Sequence, residues 1–268
     1  MYLIDSHYHF DFIIDQQARQ LFLETIAREK LKIVAQTVTP SGFIKLKDNL
    51  KEMNLDKTLI PFLSLGFHPW WIESKEQADR ELAIFQQNLD QSLLIGEVGL
   101  DFSANGLEKA DKDLQIYVFS NVLSLIAERI DVQYVLSIHA VQSASRVLDL
   151  LESYSAKNIK AILHRFNGTS DQLTRHRDRG GYLSVHPTML NSKKGRAYVQ
   201  QIAGDHLLLE SDWPDEEKNN WELNEIQKTV LELKSLLNKT VDDLSEIRNE
   251  EMRSIIFKTQ SELYEGDH

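Results

Sequence analysis

The sequence predicts an α/β protein built as a (β/α)8 TIM barrel. Two observations carry that expectation. Short, apolar, β-branched runs alternate with longer amphipathic stretches along the whole chain, and polar, chemistry-bearing residues collect where the apolar runs stop. The predicted strands are Tyr2–Ser6, Lys32–Thr39, Leu59–Leu65, Leu93–Gly96, Tyr134–Ile138, Lys160–Leu163, Tyr182–Val185 and Leu207–Glu210. Runs this short and apolar suit a parallel sheet covered on both faces. Between the first two, Asp15 is placed to cap a helix whose Ala18, Leu21, Phe22 and Ile26 share one face. Near the end, Thr240-Val241-Asp242-Asp243 reads as a cap ahead of Leu244, Ile247 and Met252. A doubly wound open sheet would show the same alternation. Its G-x-G-x-x-G turn after the first strand is missing, and Ser6-His7-Tyr8-His9-Phe10-Asp11 stands there instead. No linker, repeat or low-complexity tract divides residues 1–268, so a single domain is expected.

Composition narrows the function classes. With 268 residues, 42% of them hydrophobic and 26% charged, the chain can bury a sizeable core. It contains no cysteine, which excludes disulfides, thiolate metal sites and a cysteine nucleophile. No apolar run approaches the ~18 residues of a transmembrane helix, and Met1–His7 lacks the pattern of a signal peptide. A cytoplasmic address is the default expectation. The net charge of −11 argues against a broad basic face for wrapping duplex DNA, so a nucleic-acid substrate would need a local site or bound cations.

The chemistry sits after the strands, where barrel enzymes build their active sites. Of nine histidines, His7, His9, His68, His139, His164 and His186 each fall just past a predicted strand. His7 and His9 are two apart in extended chain, so both side chains project one way and can hold one ion; two surface loop histidines are the alternative. Glu97 stands between glycines at the end of an apolar run, where a charge needs a metal or an ion-pair partner. Its two oxygens could bridge two ions. His139 and His164 read either as ligands or as hydrogen-bonded core histidines, and Asp212 either as a ligand or as a turn residue. Nitrogen and oxygen donors without sulfur suit Zn²⁺, Mn²⁺, Fe²⁺ or Mg²⁺, with several imidazoles tilting the set away from Mg²⁺. Two ions ~3.5–4 Å apart would activate water and stabilise both oxygens of an in-line phosphoryl displacement.

Six blocks together resemble the TatD family of metal-dependent deoxyribonucleases. They are Ile4-Asp5-Ser6-His7-Tyr8-His9-Phe10-Asp11, Gly66-Phe67-His68-Pro69, Gly96-Glu97-Val98-Gly99-Leu100-Asp101, Ile138-His139, His164-Arg165-Phe166-Asn167-Gly168 and Leu209-Glu210-Ser211-Asp212-Trp213-Pro214. They occur in the family order across nearly the whole chain, with Gln115, Phe119 and Asn249 as smaller echoes. The resemblance implies an amidohydrolase-like barrel holding two divalent ions through His7, His9, Glu97, His139, His164 and Asp212. It implies further that Glu97 is the bridge, Asp212 a ligand and general base, His68 a contact to substrate phosphate, and Glu210 a support behind the ligands. Members of the family are described as nucleases acting on DNA ends.

The sequence departs from that pattern at its substrate-binding positions. Val141 stands where an Arg commonly follows the strand-five histidine, with Arg146 a helical turn beyond. The segment Pro214-Asp215-Glu216-Glu217-Lys218-Asn219-Asn220 is short and acidic where a longer basic loop is usual, and Asn224-Glu225 is read as the remnant of the helix start that follows it. Ser184-Val185-His186-Pro187-Thr188 replaces a glycine-rich stretch. Trp70 and Trp71 could stack on bases at a strand end or pack a loop. Lys193, Lys194 and Arg196, near a predicted helix start, could meet phosphate or simply be solvated. The leading expectation is a deoxyribonuclease acting on DNA ends or single strands. The alternatives are hydrolysis of a small amide, lactone or phosphoester on the same metal site, and a partner-dependent subunit of a multi-protein system such as an anti-phage complex.

Overall fold

The structure, a computed structural model, describes residues 2–154, 158–219 and 221–266. Backbone packing separates the chain into two compact units. The first comprises Met1–Gln36, Ile44–Leu63 and Ser184–Gly266; the second comprises Thr37–Phe43 and Ser64–Leu183.

In the first unit, β1 (Leu3–Tyr8), β2 (Leu31–Ala35) and β3 (Phe62–Leu63) pair in parallel in that order, with Leu3 opposite Leu31 and Val34 opposite Phe62. Every residue of β1 is buried, which explains its apolar start and requires partners for its polar end. The helix α1 (Gln16–Arg28) begins as expected, with the Asp15 carboxylate accepting from the Ala18 amide at 2.6 Å. Its inner face sets Phe22 against Tyr8 at 5.1 Å and Phe10 at 5.8 Å between ring centroids. Phe22 is fully buried, so Phe22→Ala is expected to cost about 3–5 kcal/mol, read as a lower denaturation midpoint with an unchanged m-value.

In the second unit, β4 (Leu65–Phe67), β5 (Leu94–Asp101), β6 (Tyr134–Val141) and β7 (Ile159–His164) form consecutive parallel neighbours. Between β5 and β6 come α4 (Ala104–Lys109) and α5 (Lys112–Ala127); α3 (Lys75–Asn88), α6 (Ala144–Ser153) and α7 (Ser170–Asp178) follow β4, β6 and β7. Both central strands outrun the expectation, because parallel pairing continues through Gly99 opposite His139 to Asp101 opposite Val141. Glu97 and His139 therefore project from within paired strands. Gly99 permits this: at φ 141°, a Cβ there would lie 2.1 Å from the His139 carbonyl oxygen.

β8 (Tyr182–Val185) matches its predicted span, and β9 (Leu207–Leu209) stops one residue before Glu210. Three expectations need correction. The predicted strand Lys32–Thr39 is β2 and stops at Ala35. The run Leu59–Leu65 is not one strand but β3 and β4 on either side of Ser64, whose carbonyl accepts from the Thr37 hydroxyl at 2.8 Å. Thr240–Asp243 caps nothing; α9 (Leu223–Arg248) runs through it, since Val241 and Leu244 continue the buried stripe and the Thr240 hydroxyl bonds back to the Leu236 carbonyl. The helix ends instead at Asn249, left-handed at φ 50°, before α10 (Met252–Tyr264). No helix among the described residues is long and apolar enough to cross a membrane.

Candidate metal centre

The first unit brings His7, His9 and Asp212 together. His7 Nε2 and His9 Nε2 lie 3.5 and 3.3 Å from the same Asp212 oxygen, Oδ1. Asp212 sits at φ 59°, left-handed for a residue with a Cβ, and its amide donates to the His7 carbonyl at 3.0 Å. Behind this group, buried Asp5 accepts from the Ser211 hydroxyl at 2.5 Å and from the His7 and Ser211 amides at 3.0 and 3.1 Å. Burial pushes the Asp5 carboxyl up to about 7 against the opposing pull of those hydrogen bonds. Glu210, wholly buried, accepts from the Ser184 hydroxyl, which also meets Ser6 Oγ at 2.7 Å.

The segment after Asp212 is stitched to the loop after β1. The His9 amide donates to the Trp213 carbonyl at 2.7 Å, the Lys218 amide to Phe12 at 2.9 Å, and the Ile14 amide to Lys218 at 3.4 Å. Asp215, Glu216 and Glu217 are exposed along it, while the expected segment's last residue, Asn220, lies outside the described residues.

The second unit gathers histidines around one carboxylate oxygen. Glu97 Oε1 is 2.7 Å from His139 Nδ1, 2.8 Å from His164 Nε2 and 3.3 Å from His68 Nε2. Glu97 is 2% exposed, so this charge has left water and needs positive compensation on all sides. His68 Nδ1 accepts from the Trp70 amide at 3.0 Å, which leaves the proton on Nε2 facing Glu97. His139 Nε2 lies 3.0 Å from Asp101 Oδ2. Burial lowers the His139 pKa, but hydrogen bonds to Asp101 and Glu97 outweigh it and the net shift is upward. Buried imidazole and carboxylate donors converging without sulfur fit a borderline divalent cation; donor atoms of His68, Glu97 and His139 all lie within 4.8 Å of one another. In the first unit, the donors of His7, His9 and Asp212 have the same character.

Trp70 is 39% exposed, its indole N–H bonded to Asp101 Oδ2 at 2.8 Å, and Trp71 packs against His68 at 5.1 Å. Lys193 and Lys194 open α8 (Lys193–Gln201) behind the Ser192 cap, both exposed. Arg196 turns its Nε back to the Leu190 carbonyl at 2.7 Å. His186 caps the following turn through Thr188 and belongs to neither cluster. A separate cavity of about 820 Å³, lined by Tyr2, Ile4, Arg253, Phe257 and Lys258, opens at the start of β1, the opposite end of that strand from His7.

Sequence reasoning gave Asp101 no role, although an acid ending a buried strand beside a predicted ligand was the available signal. It also undervalued Gln115. That fully buried side chain accepts from the Asp101 amide at 2.7 Å and donates to the Asp101 and Ala110 carbonyls at 2.9 and 2.8 Å. Gln115→Leu keeps the volume and strands these groups, so a loss of about 2–4 kcal/mol is expected by chemical denaturation.

Comparison with solved structures supplies the fold. An Escherichia coli K12 structure described as YJJV, a TatD homolog, covers 98% of each chain with a TM-score of 0.76 at 21% identity. A Campylobacter jejuni dihydroorotase covers all of this chain and 84% of its own, with a TM-score of 0.60 at 11% identity. The fold class is α/β, a TIM barrel of the amidohydrolase-like kind, and the class of protein is the metal-dependent hydrolases. The family model described as TatD related DNase matches residues 4–263, and the chain belongs to that family. An uncharacterized metal-dependent hydrolase, YabD, of Bacillus subtilis is 27% identical over 79% of this chain and 80% of its own length. A protein of Musicola paradisiaca named 3'-5' ssDNA/RNA exonuclease TatD is 30% identical over 56% of this chain, and the match spans 55% of that relative.

Proposed function

We propose that the protein is a nuclease of DNA ends or single strands, served by two divalent ions that His7, His9, Glu97, His139, His164 and Asp212 hold. The observation that carries this reading is the convergence of three imidazole nitrogens on one buried Glu97 oxygen. The exonuclease name of the Musicola relative supports the substrate class. Bound divalent cations, whether Zn²⁺, Mn²⁺, Fe²⁺ or Mg²⁺, would supply Lewis acidity that activates water and neutralises charge developing on a phosphoryl oxygen.

The chain's own residues do the rest. Asp212 accepts the proton of the attacking water, its carboxylate aimed by the left-handed backbone. His68 holds its one proton on Nε2, 3.3 Å from Glu97, and shares that N–H with a phosphate oxygen when substrate is bound. Glu210 keeps the Asp212 segment in place, and Trp70 offers an exposed ring for stacking on a base. Lys193 and Arg196 meet the substrate backbone. Residues 1–268 act as one domain in this reading, supported by a family match running through both units, and a single calorimetric transition is the expected check. A cytoplasmic location belongs to the same proposal.

One observation favours a second reading, hydrolysis of a small phosphoester or amide. Exposed Asp215, Glu216 and Glu217 begin three residues after Asp212 and would repel a long polyanion. The deciding experiment is a time course on an end-labelled single-stranded oligonucleotide, using metal-free protein with Mg²⁺, Mn²⁺ or Zn²⁺ restored separately. A ladder that needs metal and is absent from Asp212→Ala establishes the nuclease. Metal uptake without cleavage moves the assignment to the small substrate.

A further inference from the structure

We propose that Asp101 is the positioning residue that fixes which nitrogen His139 turns to Glu97, and that Trp70 braces the same carboxylate from the exposed side. The inference rests on the reading of Glu97 and His139 as metal ligands.

Three histidines approach one Glu97 oxygen, and what holds the far nitrogen of the ring distinguishes them. In His68 the far nitrogen accepts a backbone amide, so the near one carries hydrogen and the residue is a donor. In His139 the far nitrogen, Nε2, faces a carboxylate. The indole N–H of Trp70 can only donate, so Asp101 Oδ2 is an acceptor there, at 2.8 Å. Asp101 Oδ1 is an acceptor as well, from the Ser103 amide, so both oxygens of the carboxylate face donors. An ionised Asp101 keeps the proton on His139 Nε2, and Nδ1 is then the atom through which His139 can bind a cation.

The carboxylate itself has little freedom. Its other oxygen, Oδ1, accepts the Ser103 amide at 2.8 Å, and Gln115 grips the Asp101 backbone at both amide and carbonyl. Asp101 is 1% exposed, whereas Trp70 is 39% exposed. One oxygen therefore joins an exposed indole to a half-buried imidazole through two hydrogen bonds.

The test uses Asp101→Asn, which keeps shape and the backbone contacts while removing charge, and Trp70→Phe, which removes only the indole donor and part of the ring. Zn²⁺ affinity is measured on metal-free protein by competition with a chelating dye. The His139 Nε2–H resonance is followed by ¹⁵N NMR in the Zn²⁺-loaded protein. Asp101→Asn is expected to weaken Zn²⁺ binding by about 10–100-fold and to shift or lose that resonance. Trp70→Phe is expected to weaken binding by about threefold, and the double variant to be no weaker than Asp101→Asn, because both act through one carboxylate. Equal affinity and an unchanged resonance in Asp101→Asn would overturn the proposal while leaving the metal reading standing. Additive losses in the double variant would overturn the bracing role of Trp70. If the wild-type protein takes up no divalent ion, the proposed function fails first and this inference with it. Should Asp101→Asn not fold, Trp70→Phe carries the test, with unchanged affinity and resonance counting against the link.

Discussion

Glu97→Gln is expected to reduce hydrolysis at least ~1000-fold and to weaken divalent-ion uptake by more than ~100-fold, while the protein remains folded. The substitution is nearly isosteric, so packing around the side chain survives. What disappears is the negative charge on which His139 Nδ1, His164 Nε2 and His68 Nε2 converge within 3.3 Å. A neutral amide cannot balance a cation or a protonated imidazole in a site only 2% exposed. Isothermal titration of metal-free protein, beside circular dichroism for the fold, checks both halves. Uptake that matches wild type would remove Glu97 from the metal centre.

Gly99→Ala should destabilise the second unit severely. At φ 141° the backbone is in a region that L side chains rarely adopt, and the added Cβ would stand 2.1 Å from the His139 carbonyl oxygen. That neighbour is backbone in a paired strand and cannot rotate away. A loss of about 4 kcal/mol or more is expected, lowering the melting temperature by roughly 8–16 °C. Because β5 and β6 would part beside Glu97 and His139, ion uptake should fall together with stability. A melting temperature within about 2 °C of wild type would contradict the close approach.

The candidate site residues were legible because their chemistry is incompatible with their surroundings in the sequence. A carboxylate inside Leu94–Asp101, or an imidazole closing Ile159–His164, is costly to bury and so announces a partner. The alternation of elements was legible for the same reason that it forms, through the period of its buried residues. Boundaries that depend on tertiary partners were not. Ser64 looks like any polar residue within an apolar run, and only the Thr37 hydroxyl on its carbonyl shows why the strand breaks there. Thr240-Val241-Asp242-Asp243 carries cap chemistry, yet the buried Val241 and Leu244 outvote it. Asp101 was visible as a residue but not as a link, because its partners, Trp70 and His139, lie 31 and 38 positions away.

The stitching of Trp213–Lys218 onto the loop after β1 has a kinetic consequence. Main-chain hydrogen bonds at both ends make that stretch a hem rather than a flap. Opening it would break several bonds at once, so the cycle should not wait on its excursions, and slow amide exchange at Ile14 and Lys218 would accompany every turnover. Asp215, Glu216 and Glu217 are exposed along it and form a fixed acidic border. On the proposed nucleic-acid substrate the rate should then respond to ionic strength, rising as salt screens Asp215, Glu216 and Glu217 from the polyanion.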